Sequence, residues 1–372
     1  MRELLKTGLA CALAFGLGAL TPAVSGSNLS QKLALWTQVL QLIQSQALNA
    51  PNEVELVRQG IRGMLASLND PYSSYLDPES FAALNVEKGG QLVGLGLELA
   101  YREQAVYVMS VLENTPASRS ALRPGDQILA IDGVSVAGLN WAEINRRLTG
   151  EAGQAVSLRY LQAGQTREER LTRQVLNLQA VRAQALPGQI CYLKITTFLN
   201  ENLHQQVSEQ FQTLSDCGQG LVLDLQNNPG GLLTEAVKVA GLLGVEGPVV
   251  YMVSRQGQIQ ALRSEEIPLL AATLPLVVLT NRGTASAAEI LAAALQESGR
   301  AFVIGQTTFG KGLVQSLLPL EDGSGLSLTT ARYLTRRRQD LQQNGIEPDF
   351  PVISIPGENQ ALEQAVRYLR QE

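Results

Sequence analysis

Apolar positions follow one rhythm at the start of the chain and two others further on. From Ser30 to Leu68 they recur at helical spacing, as in Leu35, Val39, Leu42 and Ile43 and then Val54, Val57, Ile61 and Leu65. That spacing predicts two or three amphipathic helices forming a small cap over residues 28–87. The helices stop in Asn69-Asp70-Pro71-Tyr72-Ser73-Ser74-Tyr75-Leu76-Asp77-Pro78, where two prolines break the pattern. Between Lys88 and Val175 the texture changes to short alternating strands and glycine-marked turns, with one helix near Trp141 to Leu148. After Leu176, apolar strands at Gln189 to Ile195, Leu221 to Leu225, Pro248 to Val253, Leu274 to Leu279 and Ala301 to Ile304 alternate with helical stretches. Strand and helix in alternation predict an α/β core over residues 176–372.

Residues 1–25 stand apart from all three rhythms. Arg2 and Lys6 precede an apolar run from Gly8 to Leu20, and Thr21-Pro22 leads into the small residues Ala23-Val24-Ser25. This is the layout of a secretory signal peptide, and it predicts export to an extracytoplasmic compartment such as a periplasm or thylakoid lumen. An uncleaved membrane anchor is the rival reading, although the run is shorter than the ~20 apolar residues a span needs.

The remaining composition narrows the chemistry. The chain has 372 residues, 45% of them hydrophobic and 17% charged, enough for two or three domains with cores of their own. Loss of Arg2, Lys6 and Glu3 with the leader moves the formal charge from −5 to −6, which gives no electrostatic case for nucleic acid as a partner. Arg336-Arg337-Arg338 is the only dense basic run and reads as a solvated strand end or turn. Past the leader only Cys191 and Cys217 remain, too few for a four-ligand zinc site; they can pair in a disulfide if their strands are neighbours, or stand as two buried thiols. His204 is the only histidine, in a polar helix start that predicts a surface position. A two-histidine zinc hydrolase cannot be built, and a Ser-His-Asp triad would have to use that residue. No metal and no cofactor are expected.

Within residues 88–175, Gln91-Leu92-Val93-Gly94-Leu95-Gly96-Leu97-Glu98-Leu99 joins a glycine-permitted loop to an alternating strand, and Leu122-Arg123-Pro124-Gly125-Asp126 opens a second. The combination resembles a PDZ domain. Successive N–H groups in such a loop can hold a terminal carboxylate, and the adjoining strand edge can accept an extended peptide, which makes Leu95, Gly96 and Leu97 the candidate peptide-binding residues.

Two positions carry candidate chemistry. Ser286 lies where an apolar strand, through Asn281-Arg282-Gly283-Thr284-Ala285, gives way to the helix-forming run Ala287 to Leu295, at the positive end of the helix dipole. Ser286-x-x-Glu289 is also a capping box, which alone would account for the serine. Lys311, between Gly310 and Gly312 in an otherwise uncharged stretch, changes the balance. A lysine buried without a carboxylate partner loses its proton more easily, and a neutral amine can take one from a serine hydroxyl.

Ser286 and Lys311 together, with Asp70-Pro71-Tyr72-Ser73, Asp224-Leu225-Gln226-Asn227-Asn228-Pro229-Gly230-Gly231, Thr308-Phe309-Gly310-Lys311-Gly312-Leu313-Val314-Gln315 and Gly345-Ile346-Glu347-Pro348-Asp349, resemble the carboxyl-terminal processing (tail-specific) serine protease family. The resemblance covers nearly the whole mature chain. It implies a multidomain α/β (α+β) protein, with a crotonase-like protease core, an inserted PDZ-like domain and a helical cap. By position it implies Ser286 as nucleophile, Lys311 as general base and Gln315 holding the lysine amine. The N–H of Ala287 and one from Gly230 or Gly231 would form the oxyanion hole. It implies carboxyl-terminal tails of exported proteins as substrates, among them the photosystem II reaction-centre precursor. Two departures from the family pattern are Gln226, where arginine is usual, and the turn Thr335 to Asp340. A peptide-binding scaffold without catalysis is the alternative, and the intact Ser286, Lys311 and Gln315 set argues against it.

Overall fold

The computed structural model describes residues 26–49, 52–70, 72–86, 92–102, 105–139, 141–176, 179–214, 217–353 and 359–371. The expected leader, residues 1–25, lies outside the described residues. Among those described, no helix is long and apolar enough to cross a membrane.

The cap begins with α1 (Gly26–Gln46) and α2 (Glu53–Ala66). Asn52 caps α2 by accepting the Glu55 N–H at 2.8 Å, and the acidic Glu53 and Glu55 suit the positive end of that helix. A Cβ on Gly60 would come within 2.2 Å of the Trp36 ring, so α1 lies on α2 at a position that only glycine allows. The apolar residues of α1 are nevertheless largely exposed, Leu33, Leu35 and Leu42 among them. The cap pattern therefore gives helices as expected, yet α1 does not bury most of its apolar residues. A short strand β1 (Ser74–Leu76) and α3 (Pro78–Val86) complete the segment.

The chain then enters and leaves an inserted unit through one antiparallel stem, β2 (Leu92–Gly94) with β9 (Gln174–Leu176). Between them, β3 (Leu97–Arg102), β4 (Ala105–Val111), β5 (Gln127–Ile131), β7 (Ala155–Gln162) and β8 (Gln165–Thr172) form a sheet in that spatial order, and the short β6 (Val134–Ser135) pairs with β5. Helix α4 (Trp141–Leu148) closes it over a core that includes Leu99, Val108, Ile128, Ile144 and Leu158. Among the described residues strand β3 pairs only with β4 and is therefore an edge.

The last portion holds two sheets. In the larger, β10 (Val181–Leu186) runs antiparallel to β11 (Ile190–Ile195), and β12 (Gly220–Asp224), β15 (Leu276–Thr280), β16 (Phe302–Gly305) and β19 (Phe350–Pro351) continue in parallel. Strands β12 and β15 are buried along their whole length, as continuous apolar runs in a parallel sheet require. One face packs on α5 (Leu203–Gln212), α6 (Leu233–Leu242) and α7 (Ala287–Glu297), the other on α8 (Gln360–Arg370). The second sheet takes β13 (Pro248–Ser254), β14 (Ile259–Arg263), β17 (Leu313–Pro319), β18 (Gly325–Leu334) and, from the cap, β1. The stretch Pro248 to Val253 is thus a strand, but it belongs to this antiparallel sheet. Periodicity finds strands without saying which sheet will pair them.

Cys191 and Cys217 form a disulfide with Cα atoms 5.2 Å apart, which resolves the two readings in favour of pairing. Against expectation, His204 is not a surface residue: its side chain is 15% exposed and its Nδ1 lies 2.7 Å from Glu235 Oε2. The polar helix start is real, but α6 supplies a buried carboxylate to receive it. Arg336 also differs from a solvated turn residue, since its guanidinium donates to Pro248 O at 3.0 Å.

Candidate active site

Ser286 sits at the junction of the β15 turn and α7 with φ 55° and ψ −121°. A non-glycine residue at positive φ costs on the order of 1–3 kcal/mol and persists only where its surroundings enforce it. Here the enforcing group is Glu289, one turn into α7 and fully buried. Its Oε2 accepts the N–H of Ser286 at 2.7 Å and that of Lys311 at 2.9 Å. Its Oε1 accepts the Thr308 hydroxyl at 2.5 Å and the Gly310 N–H at 2.7 Å. Burial pushes the Glu289 carboxyl up, while the four hydrogen bonds favour the ionised form. Three of the four donors are N–H groups that can only donate, so a carboxylate satisfies them all.

Lys311 is partly accessible along its length, but burial of its amine pulls the ammonium below the ordinary lysine range, against the raising influence of Glu98 and Glu289. Its Nζ lies 5.7 Å from the centroid of the Tyr72 ring. Among the described residues no hydrogen bond joins Lys311 Nζ to Ser286 Oγ. Gln315, expected beside that amine, directs its Nε2 at Thr329 Oγ1, 3.4 Å away. The backbones of the serine and lysine loops are therefore tied together while the side chains are not yet engaged.

Gly230 packs directly on the serine, and Gly231 on the Phe198 backbone. A Cβ on Gly230 would lie 2.8 Å from Ser286 Cβ, Ala287 N and Ala285 O, and one on Gly231 would lie 2.4 Å from Phe198 C. Both have positive φ, at 95° and 140°. Gly230 N already donates to Asn228 Oδ1 at 2.9 Å. Among the described residues neither Gly231 N nor Ala287 N donates to a protein acceptor, which leaves these two amides for a ligand oxygen.

The insert reaches this site. Ala100 and Met109 pack with Ala285 and Phe309, and Ser110 Oγ donates to Asn227 O at 2.6 Å. Glu113 pairs with Arg182 and, at 2.6 Å, with Lys194, which also meets Asp224 at 3.2 Å. Burial alone would lower the Lys194 ammonium, but Asp224 and Glu113 outweigh it and hold it above its ordinary value. Uncharged Gln226 adds no charge to this cluster, and its N–H donates to Asp224 Oδ1 at 2.8 Å. Of the candidate peptide-binding residues, Leu95 is buried with its carbonyl taken by the Ala117 N–H, and Gly96 has φ 77° against Thr115. Leu97 begins the edge strand β3. No cluster of metal-ligating side chains occurs among the described residues.

The chain matches peptidase family S41 over residues 189–352, the PDZ domain over 93–172 and the N-terminal domain of the activating protease CtpB over 21–80. It is 39% identical over 380 residues to the carboxyl-terminal-processing protease of Synechocystis sp., covering 92% of this chain and 88% of that one. The chain belongs to the carboxyl-terminal-processing protease family. Another relative in the family is the carboxy-terminal processing protease of Bacillus subtilis, 32% identical over 327 residues, with 87% of this chain and 70% of that one covered. A solved structure titled photosystem II D1 C-terminal processing protease superposes with a TM-score of 0.74 at 33% identity, over 88% of this chain and 90% of the other. The expected α/β protease core with its PDZ domain is the fold found.

In the sequence Glu289 shows only a capping role. The spacing Ser286-x-x-Glu289 carries no sign that the same carboxylate also receives the loop of Lys311. Tyr72 is legible only as part of a cap motif, although its ring lies 5.7 Å from Lys311 Nζ.

Proposed function

We propose that this protease is a serine endopeptidase that cleaves near the carboxyl terminus of exported proteins through Ser286 and Lys311. The observation that carries the reading is that Glu289 Oε2 accepts both the Ser286 and the Lys311 amides, so one buried carboxylate sets the nucleophile and the base relative to each other. Ser286 Oγ attacks the scissile carbonyl carbon as its proton passes to the neutral Lys311 amine. The tetrahedral oxyanion is received by the N–H groups of Ala287 and Gly231, with Gly230 holding the turn behind them. Lys311 returns that proton to the departing amide nitrogen, leaving an ester on Ser286. Water then attacks the ester with Lys311 again as base, and Ser286 is restored. Gln315 orients the amine once substrate is bound.

The β3 edge, with the Leu95-Gly96-Leu97 loop, takes the substrate's carboxyl-terminal tail by strand addition. Likeness to the structure titled photosystem II D1 C-terminal processing protease and to the Synechocystis relative supports the photosystem II reaction-centre precursor as substrate, in a thylakoid lumen or periplasm. The test is incubation with an unfolded, tailed substrate and sequencing of the products. Internal cleavage near the tail, absent in Ser286→Ala, is expected. Undiminished cleavage by Ser286→Ala would leave the serine as a helix cap and end the mechanism.

A further inference from the structure

The backbone that carries the Gly231 amide is clasped against Phe198. The two residues form an isolated parallel bridge, in which the Phe198 N–H donates to Gly230 O at 2.7 Å and the Leu232 N–H donates to Phe198 O at 2.9 Å. A Cβ on Gly231 would lie 2.4 Å from Phe198 C and 2.5 Å from Leu199 N, so a displacement of one backbone displaces the other. Asn228 holds the inner end of this clasp: its Nδ2 donates to Ile195 O at 2.8 Å and its Oδ1 accepts the Gly230 N–H at 2.9 Å. At the outer end the two segments part, one through residues 199–202 into α5 and the other through Leu232 into α6. Phe198 is buried, but residues 199–202 beyond it are largely exposed, Leu199 by 57%. The outer end is instead tied where the two helices begin. Glu235, in the first turn of α6 and buried, receives on Oε2 both the His204 N–H at 2.9 Å and the His204 ring through Nδ1 at 2.7 Å, and on Oε1 the Lys238 ammonium at 2.9 Å.

We propose that His204, the only histidine of the chain, is a positioning residue that acts through Glu235 to place the Gly231 amide for the oxyanion. Burial alone would raise the Glu235 carboxyl, but the bonds from Lys238 and from the His204 amide and ring outweigh it and hold it below its ordinary value. An ionised carboxylate only accepts, so Nδ1 carries the ring proton and donates it. That bond locks the start of α5 onto the start of α6 and closes the clasp on the side away from Asn228. Gly231 is exposed toward the site, and its amide has no protein acceptor to hold it in place. Its direction therefore follows the backbone on either side of it. An oxyanion-hole donor must stand within about 2.7–3.1 Å of where the charge develops, whereas binding of the uncleaved peptide asks less of it. Loosening the clasp should thus be felt in the transition state and hardly in the bound substrate. The inference rests on the peptidase reading above, and one arm of its test needs no turnover.

His204→Ala keeps the backbone bond to Glu235 and removes the ring bond. Well below its melting temperature, kcat on a tailed peptide should fall about tenfold, a part of what losing a whole oxyanion donor costs, while KM stays within about twofold. His204→Asn, whose Nδ2 can donate to the carboxylate in place of Nδ1, should recover most of kcat. Amide hydrogen exchange read by mass spectrometry should rise several-fold across residues 196–204 in His204→Ala and return toward the parent in His204→Asn. A residue that only supports the fold would lower the melting temperature and leave kcat in place. An unchanged kcat, a loss carried by KM, a kcat that His204→Asn does not restore, or unchanged exchange would each overturn the proposal. If the parent hydrolyses no substrate while exchange responds as expected, the peptidase reading fails and the clasp on Gly231 stands. Should His204→Ala fail to fold by thermal melting, His204→Phe, which keeps the bulk of a ring without its donor, is judged by the same outcomes.

Discussion

Replacing Glu289 with glutamine tests whether one carboxylate organises the whole site. In the native protein each oxygen accepts two donors, Oε1 from Thr308 and Gly310 and Oε2 from Ser286 and Lys311, at 2.5–2.9 Å. A carboxamide keeps one acceptor oxygen, and its NH2 group faces either the Ser286 and Lys311 amides, which can only donate, or the Gly310 amide and the Thr308 hydroxyl, which can turn to accept. One or two hydrogen bonds to a charged acceptor are lost, at ~1.5–3 kcal/mol each. Relief from burying a charge returns part of this, so the net loss of stability should be about 2–4 kcal/mol. The residue has no exposed surface through which water could compensate. The activity loss should be larger, because a misplacement of ~1 Å in Ser286 or Lys311 can cost on the order of a hundredfold in rate. Urea unfolding followed by far-UV circular dichroism measures the first, and hydrolysis of a tailed substrate well below the midpoint measures the second. A Glu289→Gln protein within about 0.5 kcal/mol of the parent and within about threefold in kcat/KM would refute the argument, since both figures lie below the loss of a single such bond.

Because Lys311 must be neutral to act as base, kcat/KM should rise with pH through a midpoint below the ordinary lysine range, and Lys311→Arg should abolish hydrolysis; the same acid limb persisting in that variant would assign it elsewhere. Glu113→Gln should weaken the seat of the insert by about 1 kcal/mol, discounted for its partial exposure, and the difference in urea midpoint from the parent should shrink as salt is raised. Reducing the Cys191–Cys217 disulfide, which spans 26 positions, should cost about 3.5 kcal/mol by loop entropy, read as a lowered melting temperature that Cys191→Ser with Cys217→Ser reproduces without reductant. Intact-mass analysis of protein from its native compartment should find residues 1–25 removed; their retention would favour the anchor reading.

What the sequence shows is mostly what a single element needs in order to form. The core strands fall within one or two residues of the expected stretches, because a buried parallel strand must be apolar throughout and a glycine or polar turn must end it. The inserted unit is legible for the same reason, through its loop glycines and its alternating strands. Pairing between distant segments is not legible in that way. Nothing in Pro248 to Val253 distinguishes a strand of the parallel sheet from one that joins β18 and β14. Nothing around His204 reveals that Glu235, 31 positions later, will receive its ring. The positive φ of Ser286 is hidden too, since the residue reads as an ordinary helix cap until the groups that enforce its conformation are seen in space.

The separation of the serine and lysine side chains follows from how the site is assembled. Glu289 fixes the two loops through their backbone amides, and that arrangement survives any rotation of the Lys311 side chain. The side chain itself answers to neighbours that come from elsewhere: Tyr72 from the cap, Glu98 from the insert, and Gln315, which is turned toward Thr329 on β18. A base placed by its own loop alone would be ready at all times. Here the amine stands against a cap residue whose hydroxyl is bonded to the edge strand of the inserted domain, so its surroundings come from three segments of the chain. This division leaves the costly, strained geometry of Ser286 built by the backbone and Glu289 alone. The Lys311 amine, which a single side-chain rotation can move, is left to those neighbours.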